Sequence, residues 1–147
     1  MAELHPFLVH FPIALILVAF LFDLYGVARS HLNSTWTAFT LQIMAALSAL
    51  LAAFSGNLAE SSPAMQEVLV QGVADSLEAH ISMGNTIVWI VVLVVLGRTF
   101  ALLEKKKWAT GGWLFPTLSL ALAILVIYTG LLGGALSQDI LQYFIEH

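Results

Sequence analysis

The sequence predicts an all-α integral membrane protein in which four helices cross the bilayer as a bundle. Of its 147 residues, 60% are hydrophobic and only 10% are charged, and the mean hydropathy is +0.93. Soluble domains carry about 25% charged residues, so a soluble fold of this size could not cover its surface with so few. Four apolar stretches can each cross a hydrocarbon core about 30 Å thick. Together they use nearly the whole chain, which predicts a single transmembrane domain over residues 1–147.

The first predicted span covers residues 7–28 and follows Pro6, which suits the first helical turn because its missing N–H is not needed there. The second covers residues 36–55, between Asn33-Ser34-Thr35, which are residue types that cap helices, and a predicted stop at Gly56-Asn57. The third covers residues 81–103 and the fourth residues 113–136. No basic region precedes the first span, so we expect it to remain in the mature protein rather than to be cleaved as a signal peptide.

The basic residues predict the orientation of these spans. All five follow the first span or lie at the end of the third: Arg29, Arg98, Lys105, Lys106 and Lys107. The positive-inside rule therefore places the loop after the first span and the loop after the third span in the cytoplasm. Both chain termini would then lie outside. Seven of the nine acidic residues then lie on the outer side: Glu3, Glu60, Glu67, Asp75, Glu78, Asp139 and Glu146.

The outer connection between the second and third spans is predicted to contain a short amphipathic helix. It would begin at Ser62-Pro63, and apolar residues then recur with helical spacing at Met65, Val68, Leu69, Val73 and Leu77. Two interpretations remain open. The segment is either a helix lying on the membrane surface or the solvated first turns of the third span.

Three histidines lie at the outer ends of the spans. His10 is one to two turns inside the first span, His80 begins the third, and His5 precedes the first. Because both spans run from outside to inside, His10 and His80 are expected at comparable depth. An ionisable group in a membrane helix is a candidate functional residue, although a single histidine can also serve only as a hydrogen-bonded packing residue.

The leading functional hypothesis is a small b-type cytochrome that transfers electrons near the outer face. His10 and His80 would be the axial ligands of haem b, since bundle cores can hold such a group between imidazoles of facing helices. Ala14 and Gly84, one turn beyond each ligand, would leave room for the haem ring. His5 would be a hydrogen-bond donor to a ligand, an alternate ligand or part of a second site.

Two alternatives belong to other classes. His5, His10, His80 and Glu78 could bind a zinc, copper or iron ion, since imidazole and carboxylate suit such metals. Alternatively, the chain could be a structural or assembly subunit whose histidines only pack. The Gly130-x-x-x-Gly134 spacing indicates close helix packing, within one chain or in a homo-oligomer.

Two charged residues lie near the inner ends of the first and third spans, and Asp23 and Arg98 are predicted to form a structural ion pair. Asp23 could instead pair with Arg29, Arg98 could reach the interface, or the pair could belong to a proton path. In the first span, Pro12 leaves the carbonyl of Leu8 without its helical donor and is expected to bend the helix.

Several function classes are not supported by the sequence. It contains no nucleophile elbow, phosphate-binding loop or dinucleotide fingerprint, which favours an electron carrier over an enzyme with turnover. It has no cysteine, which excludes disulfides and thiolate metal sites. Topology explains the three adjacent lysines, so we expect a lipid bilayer and no nucleic acid as partner.

The opening His5-Pro6-Phe7-Leu8-Val9-His10-Phe11-Pro12 resembles the signature of a bacterial membrane family called domain of unknown function 2231. His80 and Gly133-Gly134 continue the likeness over the whole chain, whereas Ala135-Leu136-Ser137 departs from the family's usual run. The resemblance implies about four spans in a bacterial inner membrane. Some relatives are fused to Rieske iron–sulfur domains, which implies a redox setting with a Rieske-type or periplasmic electron carrier as partner.

Overall fold

The computed structural model describes residues 5–61, 63 and 74–146 of the chain. The helices named here follow one another in the order α1 (His5–Leu8), α2 (His10–Ala28), α3 (Leu32–Glu60), α4 (Ala74–Leu103), α5 (Trp108–Gly111) and α6 (Leu114–Glu146). Four helical segments are long and apolar enough to cross a membrane, namely α1 with α2, α3, α4 and α6. The predicted four-helix membrane fold is therefore confirmed, although each helix is longer than the span predicted for it.

The four long helices form a bundle in which α2 and α4 lie diagonally opposite each other. Each of these two packs against both α3 and α6, while the short α5 contacts the bundle at one end. We call that end the lysine end, after Arg29 and Lys105–Lys107, and the opposite end the histidine end, after His5 and His80. The orientation of these two ends in a cell remains the prediction from the positive-inside rule.

Small side chains on α3 bring the helices close together. Ala45 and Ala49 are buried against branched core residues such as Ile16, Val91 and Leu122. Many large apolar side chains on the outside of the bundle are exposed instead, as expected for a surface that faces lipid. Helix association here depends on close packing and buried polar groups, because lipid gives no hydrophobic drive between helices.

The predicted irregularity before Pro12 is present in the first transmembrane segment. The helix is interrupted at Val9, between α1 and α2, and the Val9 N–H donates to the His5 carbonyl at 3.1 Å. Proline at position 12 cannot donate to the carbonyl four residues earlier, which is that of Leu8. Val9 keeps helical backbone dihedrals, so α1 and α2 together form one 24-residue membrane segment, His5–Ala28.

The second long helix differs from the prediction at both ends. It begins at Leu32, and the residue that caps it is His31, whose Nδ1 accepts a hydrogen bond from the Ser34 N–H at 3.2 Å. It continues through Gly56-Asn57 to Glu60, so the expected stop at that glycine was wrong. A glycine inside a membrane helix often marks close packing rather than a helix end.

The predicted amphipathic segment is only partly covered by the structure. Leu77 is buried within α4, which begins at Ala74, so this part of the segment forms the first turns of the third long helix. The remaining residues, 62 and 64–73, lie outside the described part of the chain. Whether they form a surface helix stays a prediction.

We expect Gly26→Ala to lower the free energy of unfolding by about 1–3 kcal/mol, as for other overpacked positions. A Cβ atom at Gly26 would lie 2.6 Å from Thr35 Oγ1 and 3.1 Å from the Thr35 backbone nitrogen. Denaturation in detergent, followed by circular dichroism, measures this loss. Gly97→Ala is the matched control, because a Cβ there meets nothing within 4 Å. An equal loss in both variants would contradict the steric explanation.

Candidate functional site

Two histidines from different helices face each other at the histidine end. His5 on α1 and His80 on α4 have ring centroids 6.4 Å apart, and their ring planes cross at 83°. Both residues are half-buried. The fold thus assembles a pair of imidazoles from two distant parts of the chain.

Each ring of this pair packs directly against a glycine of a neighbouring helix. A Cβ atom at Gly56 on α3 would lie 2.9 Å from Cε1 of His5, and one at Gly133 on α6 would lie 2.9 Å from Cε1 of His80. Real Cβ atoms do not approach ring atoms so closely without displacing them. Residues without a side chain are therefore needed at both positions for the rings to sit where they do.

The hydrogen bonds of His5 determine which ring nitrogen carries the proton. Its Nδ1 lies 3.0 Å from the Ala52 carbonyl oxygen and 2.9 Å from Ser55 Oγ, and the Ser55 hydroxyl itself donates to the Ala52 carbonyl. A carbonyl oxygen can only accept, so Nδ1 of His5 is the donor. In the neutral ring Nε2 then keeps its lone pair and is able to bind a metal.

The polar contacts of His80 are incomplete. Its Nδ1 atom is buried and makes no hydrogen bond within the described residues. A buried polar atom without a partner calls for an explanation, and a bound group is one of them.

The structure does not pair His80 with His10 as expected from the sequence. His10 is exposed, and its Nδ1 bonds the Pro6 carbonyl of its own segment. The buried face of α2 passes through Pro12, Ile16, Ala19, Asp23 and Gly26. His5 lies seven residues before Pro12, about two helical turns back, and therefore continues this buried face. His10 lies on another side of the helix.

The other residues expected around this site lie elsewhere. Ala14 is exposed, and a Cβ at Gly84 would meet nothing within 4 Å, so neither flanks the pair of rings. Glu78 is exposed. Among the residues that the structure describes, no three His, Cys, Asp or Glu side chains are close enough to hold a metal ion. The ion site expected from the sequence is therefore not formed in this structure, because its four residues do not come together: His5, His10, His80 and Glu78.

A buried ion pair lies between the helices nearer the lysine end. Asp23 and Arg98 are each 1% exposed, and the two terminal nitrogens of Arg98 lie 2.7 Å and 3.0 Å from the two carboxylate oxygens of Asp23. This two-point geometry is the strong form of the arginine–carboxylate bond. The predicted ion pair is confirmed, and Arg98 does not reach the interface.

Two side chains that the sequence analysis missed complete this network. Gln42 accepts from Arg98 at 2.9 Å and donates to Asp23 at 2.9 Å and to Ser119 at 2.7 Å. Ser119 donates to Asp23 at 2.7 Å, and the Thr35 carbonyl accepts from Arg98 at 3.2 Å. Each of the four long helices contributes at least one group. Buried polar side chains at matching depth in the second and fourth spans were the signal that could have found Gln42 and Ser119.

Aromatic rings surround the cation of this network. The Arg98 guanidinium carbon lies 4.7 Å from the centroid of the Phe115 ring and 5.7 Å from that of Phe39. Arg98 Nε is the one nitrogen of this side chain without a hydrogen bond to the described residues. The other polar side-chain atoms of the network are nearly all hydrogen-bonded, and these bonds connect the four long helices.

Comparisons with known proteins agree with this architecture. A family model described as "Predicted membrane protein (DUF2231)" matches residues 2–140, nearly the whole chain. No curated protein and no solved structure gives a match. The description of the family names a membrane protein and assigns no activity.

Proposed function

We propose that this chain, which belongs to the DUF2231 family of predicted membrane proteins, is a small b-type haem protein that carries single electrons. His5 and His80 would hold the haem, with His5 in place of the expected His10. The observation that carries the proposal is the facing pair of imidazoles, with ring centroids 6.4 Å apart.

The spacing of the two rings suits a shared metal. Bonds between an imidazole nitrogen and a first-row metal such as zinc are about 2.0–2.1 Å long, so two imidazoles on opposite sides of one ion have ring centroids about 6 Å apart. Direct edge-to-face ring contacts also span about 4.5–7 Å. The ring spacing alone therefore does not distinguish a pair of metal ligands from a packing contact. The hydrogen bonds of the rings make that distinction.

Those hydrogen bonds favour a role as metal ligands over simple packing. A histidine that binds a metal usually donates its other ring N–H to a carbonyl or carboxylate, which fixes the tautomer and the ring orientation. His5 does so through Nδ1 to the Ala52 carbonyl, which leaves Nε2 for the metal. The Nδ1 of His80 is buried and has no hydrogen-bond partner among the described residues, so the His80 ring lacks the matching contact.

A pair of histidines fits haem better than a bare metal ion. Zinc sites use three or four protein ligands. Within the described residues no third such side chain joins His5 and His80. Haem iron can be held in a protein by one or two side chains such as histidine, so His5 and His80 would suffice to hold it. When bound, it would supply one-electron redox chemistry, while His5 and His80 would hold it and the bundle would limit its contact with water.

This proposal also gives the expected surroundings of the protein. The chain would lie in a bacterial inner membrane with the histidine end on the periplasmic side. A Rieske-type or periplasmic carrier would exchange electrons at that end. Asp23 and Arg98, which lie toward the other end, would stabilise the bundle without contacting the haem.

The test is the reduced-minus-oxidised absorption spectrum of protein purified from cells that are supplied with haem. The unaltered protein is expected to show a Soret band, and His5→Ala and His80→Ala are each expected to lose it. His10→Ala is the matched control and should keep it, because His10 is exposed and bonded to its own segment.

Three results would count against the assignment. A missing Soret band in the unaltered protein would remove haem, and metal analysis would then test for a zinc, copper or iron ion. Loss of the Soret band in His10→Ala, with the band retained in His5→Ala, would instead support His10 and His80, the pair expected from the sequence. If neither a haem nor a metal is found, the two rings only pack, as in the structural-subunit alternative.

A further inference from the structure

An apolar groove lies on the outside of the bundle between α4 and α6, toward the lysine end. It encloses about 270 Å³, and its lining includes Leu93, Gly97, Trp108, Leu114 and Phe115. The groove is open on one side. In a protein that spans a membrane, that opening faces the hydrocarbon of the bilayer.

The groove is preformed by rigid neighbours. Gly97 leaves its wall open, because a Cβ there would meet nothing within 4 Å. Phe115, which is 3% exposed, stacks on Trp108 with ring centroids 6.0 Å apart. The same Phe115 ring contacts the buried Arg98 guanidinium at 4.7 Å. The polar network therefore holds one side of the groove in place.

A cationic turn stands directly beside the groove. The helix α4 ends in a turn whose left-handed residue is Lys105, with φ of 54°. The N–H groups of Lys105 and Lys106 donate to the carbonyls of Leu102 and Ala101 at 3.0 Å and 2.9 Å, the pattern of a Schellman motif. Three exposed lysines, Lys105–Lys107, then precede Trp108, which lines the groove.

We propose that the groove and this turn together form a binding site for one anionic phospholipid. An acyl chain would lie in the groove, and the headgroup phosphate would lie against Lys105–Lys107. The groove alone would accept the acyl chain of any phospholipid, so the preference for an anionic headgroup would come from the lysines. Exposed lysines near a membrane surface each favour anionic lipid by about 1 kcal/mol, or about fivefold. Glu104 is the one acidic residue of this turn, and it leaves the turn cationic.

The proposal is independent of haem binding, and Trp108 provides a local probe. Replacing Trp36, Trp89 and Trp113 by phenylalanine leaves Trp108 as the sole tryptophan. This variant would be reconstituted in phosphatidylcholine vesicles with a small fraction of brominated phosphatidylglycerol or brominated phosphatidylcholine. We expect the brominated anionic lipid to quench Trp108 fluorescence at a several-fold lower fraction.

Further variants separate the two parts of the site. Changing Lys105–Lys107 to glutamine should abolish most of this several-fold preference, so that the two brominated lipids quench at nearly equal fractions. Gly97→Phe, which fills the groove, should weaken quenching by both lipids. Arg29→Gln is the control, because Arg29 belongs to the lysine end but not to the groove, and the preference should remain.

Two results would overturn the proposal. One is equal quenching by the two brominated lipids in the parent variant, and the other is an undiminished preference after the lysines are changed. Native mass spectrometry of the unaltered chain with equal amounts of both lipids makes the same comparison without tryptophan substitutions. Absence of retained phosphatidylglycerol there would likewise reject the site.

Discussion

Arg98→Met is expected to lower the free energy of unfolding by about 3–5 kcal/mol, because it leaves a buried carboxylate without its cation. Asp23 is 1% exposed and has no access to water that could replace the arginine. Gln42 and Ser119 would still donate to it, but two neutral donors do not balance a full negative charge. Reversible unfolding in mixed detergent micelles, followed by circular dichroism, measures the loss.

Two further variants separate the charge from the packing. Arg98→Lys should also destabilise the protein, because an ammonium cannot make the two parallel hydrogen bonds that the guanidinium makes with Asp23. The double variant Asp23→Leu with Arg98→Met should lose less than the sum of the single variants, since no uncompensated charge is left. A loss below about 1 kcal/mol for Arg98→Met would mean that the pair is as weak as an exposed one.

Gly133→Val is expected to lower the haem content of the purified protein by about tenfold or more, the range found when groups that orient a metal ligand are changed. A Cβ at this position would lie 2.9 Å from Cε1 and 3.3 Å from Nδ1 of His80. The ring would have to turn away, and the proposed ligand pair would separate. The ratio of haem to protein, from the absorption spectrum and total protein, measures the effect.

The adjacent glycine is the matched control for this substitution. A Cβ at Gly134 meets nothing within 4 Å, so Gly134→Val should keep its haem. Equal loss in both variants would point to disturbed helix packing rather than a displaced ligand. Unchanged haem content in Gly133→Val would mean that His80 does not bind the iron.

The helices could be predicted from the sequence, whereas the faces they turn to one another could only be predicted in part. Hydropathy identifies a membrane helix but does not distinguish its lipid side from its packed side, since both are apolar. On α2 the packed side is marked instead by Pro12, Ala19, Asp23 and Gly26. Extending that face backward by one heptad reaches His5, so the histidine that faces His80 could have been predicted from the sequence.

The glycines show where sequence reasoning fails for a physical reason. Gly56 was predicted to end a helix, and Gly133 was noted as part of the family resemblance. In the structure both lie inside helices and make room for the His5 and His80 rings. A glycine gives the same signal in the sequence whether it ends a helix or accepts a neighbour, and only the position of the neighbour decides between these uses.

The shared polar network also affects how the chain enters the membrane during synthesis. Asp23 is made 75 residues before Arg98, so the first helix leaves the ribosome with a carboxylate that has no cation. An aspartate at the centre of a lone membrane helix disfavours insertion by about 2.5–3.5 kcal/mol, and Asp23, which lies nearer the helix end, carries a smaller cost of the same sign. The arrival of the third helix is therefore expected to stabilise the inserted first helix, by supplying the cation that Asp23 lacks until then.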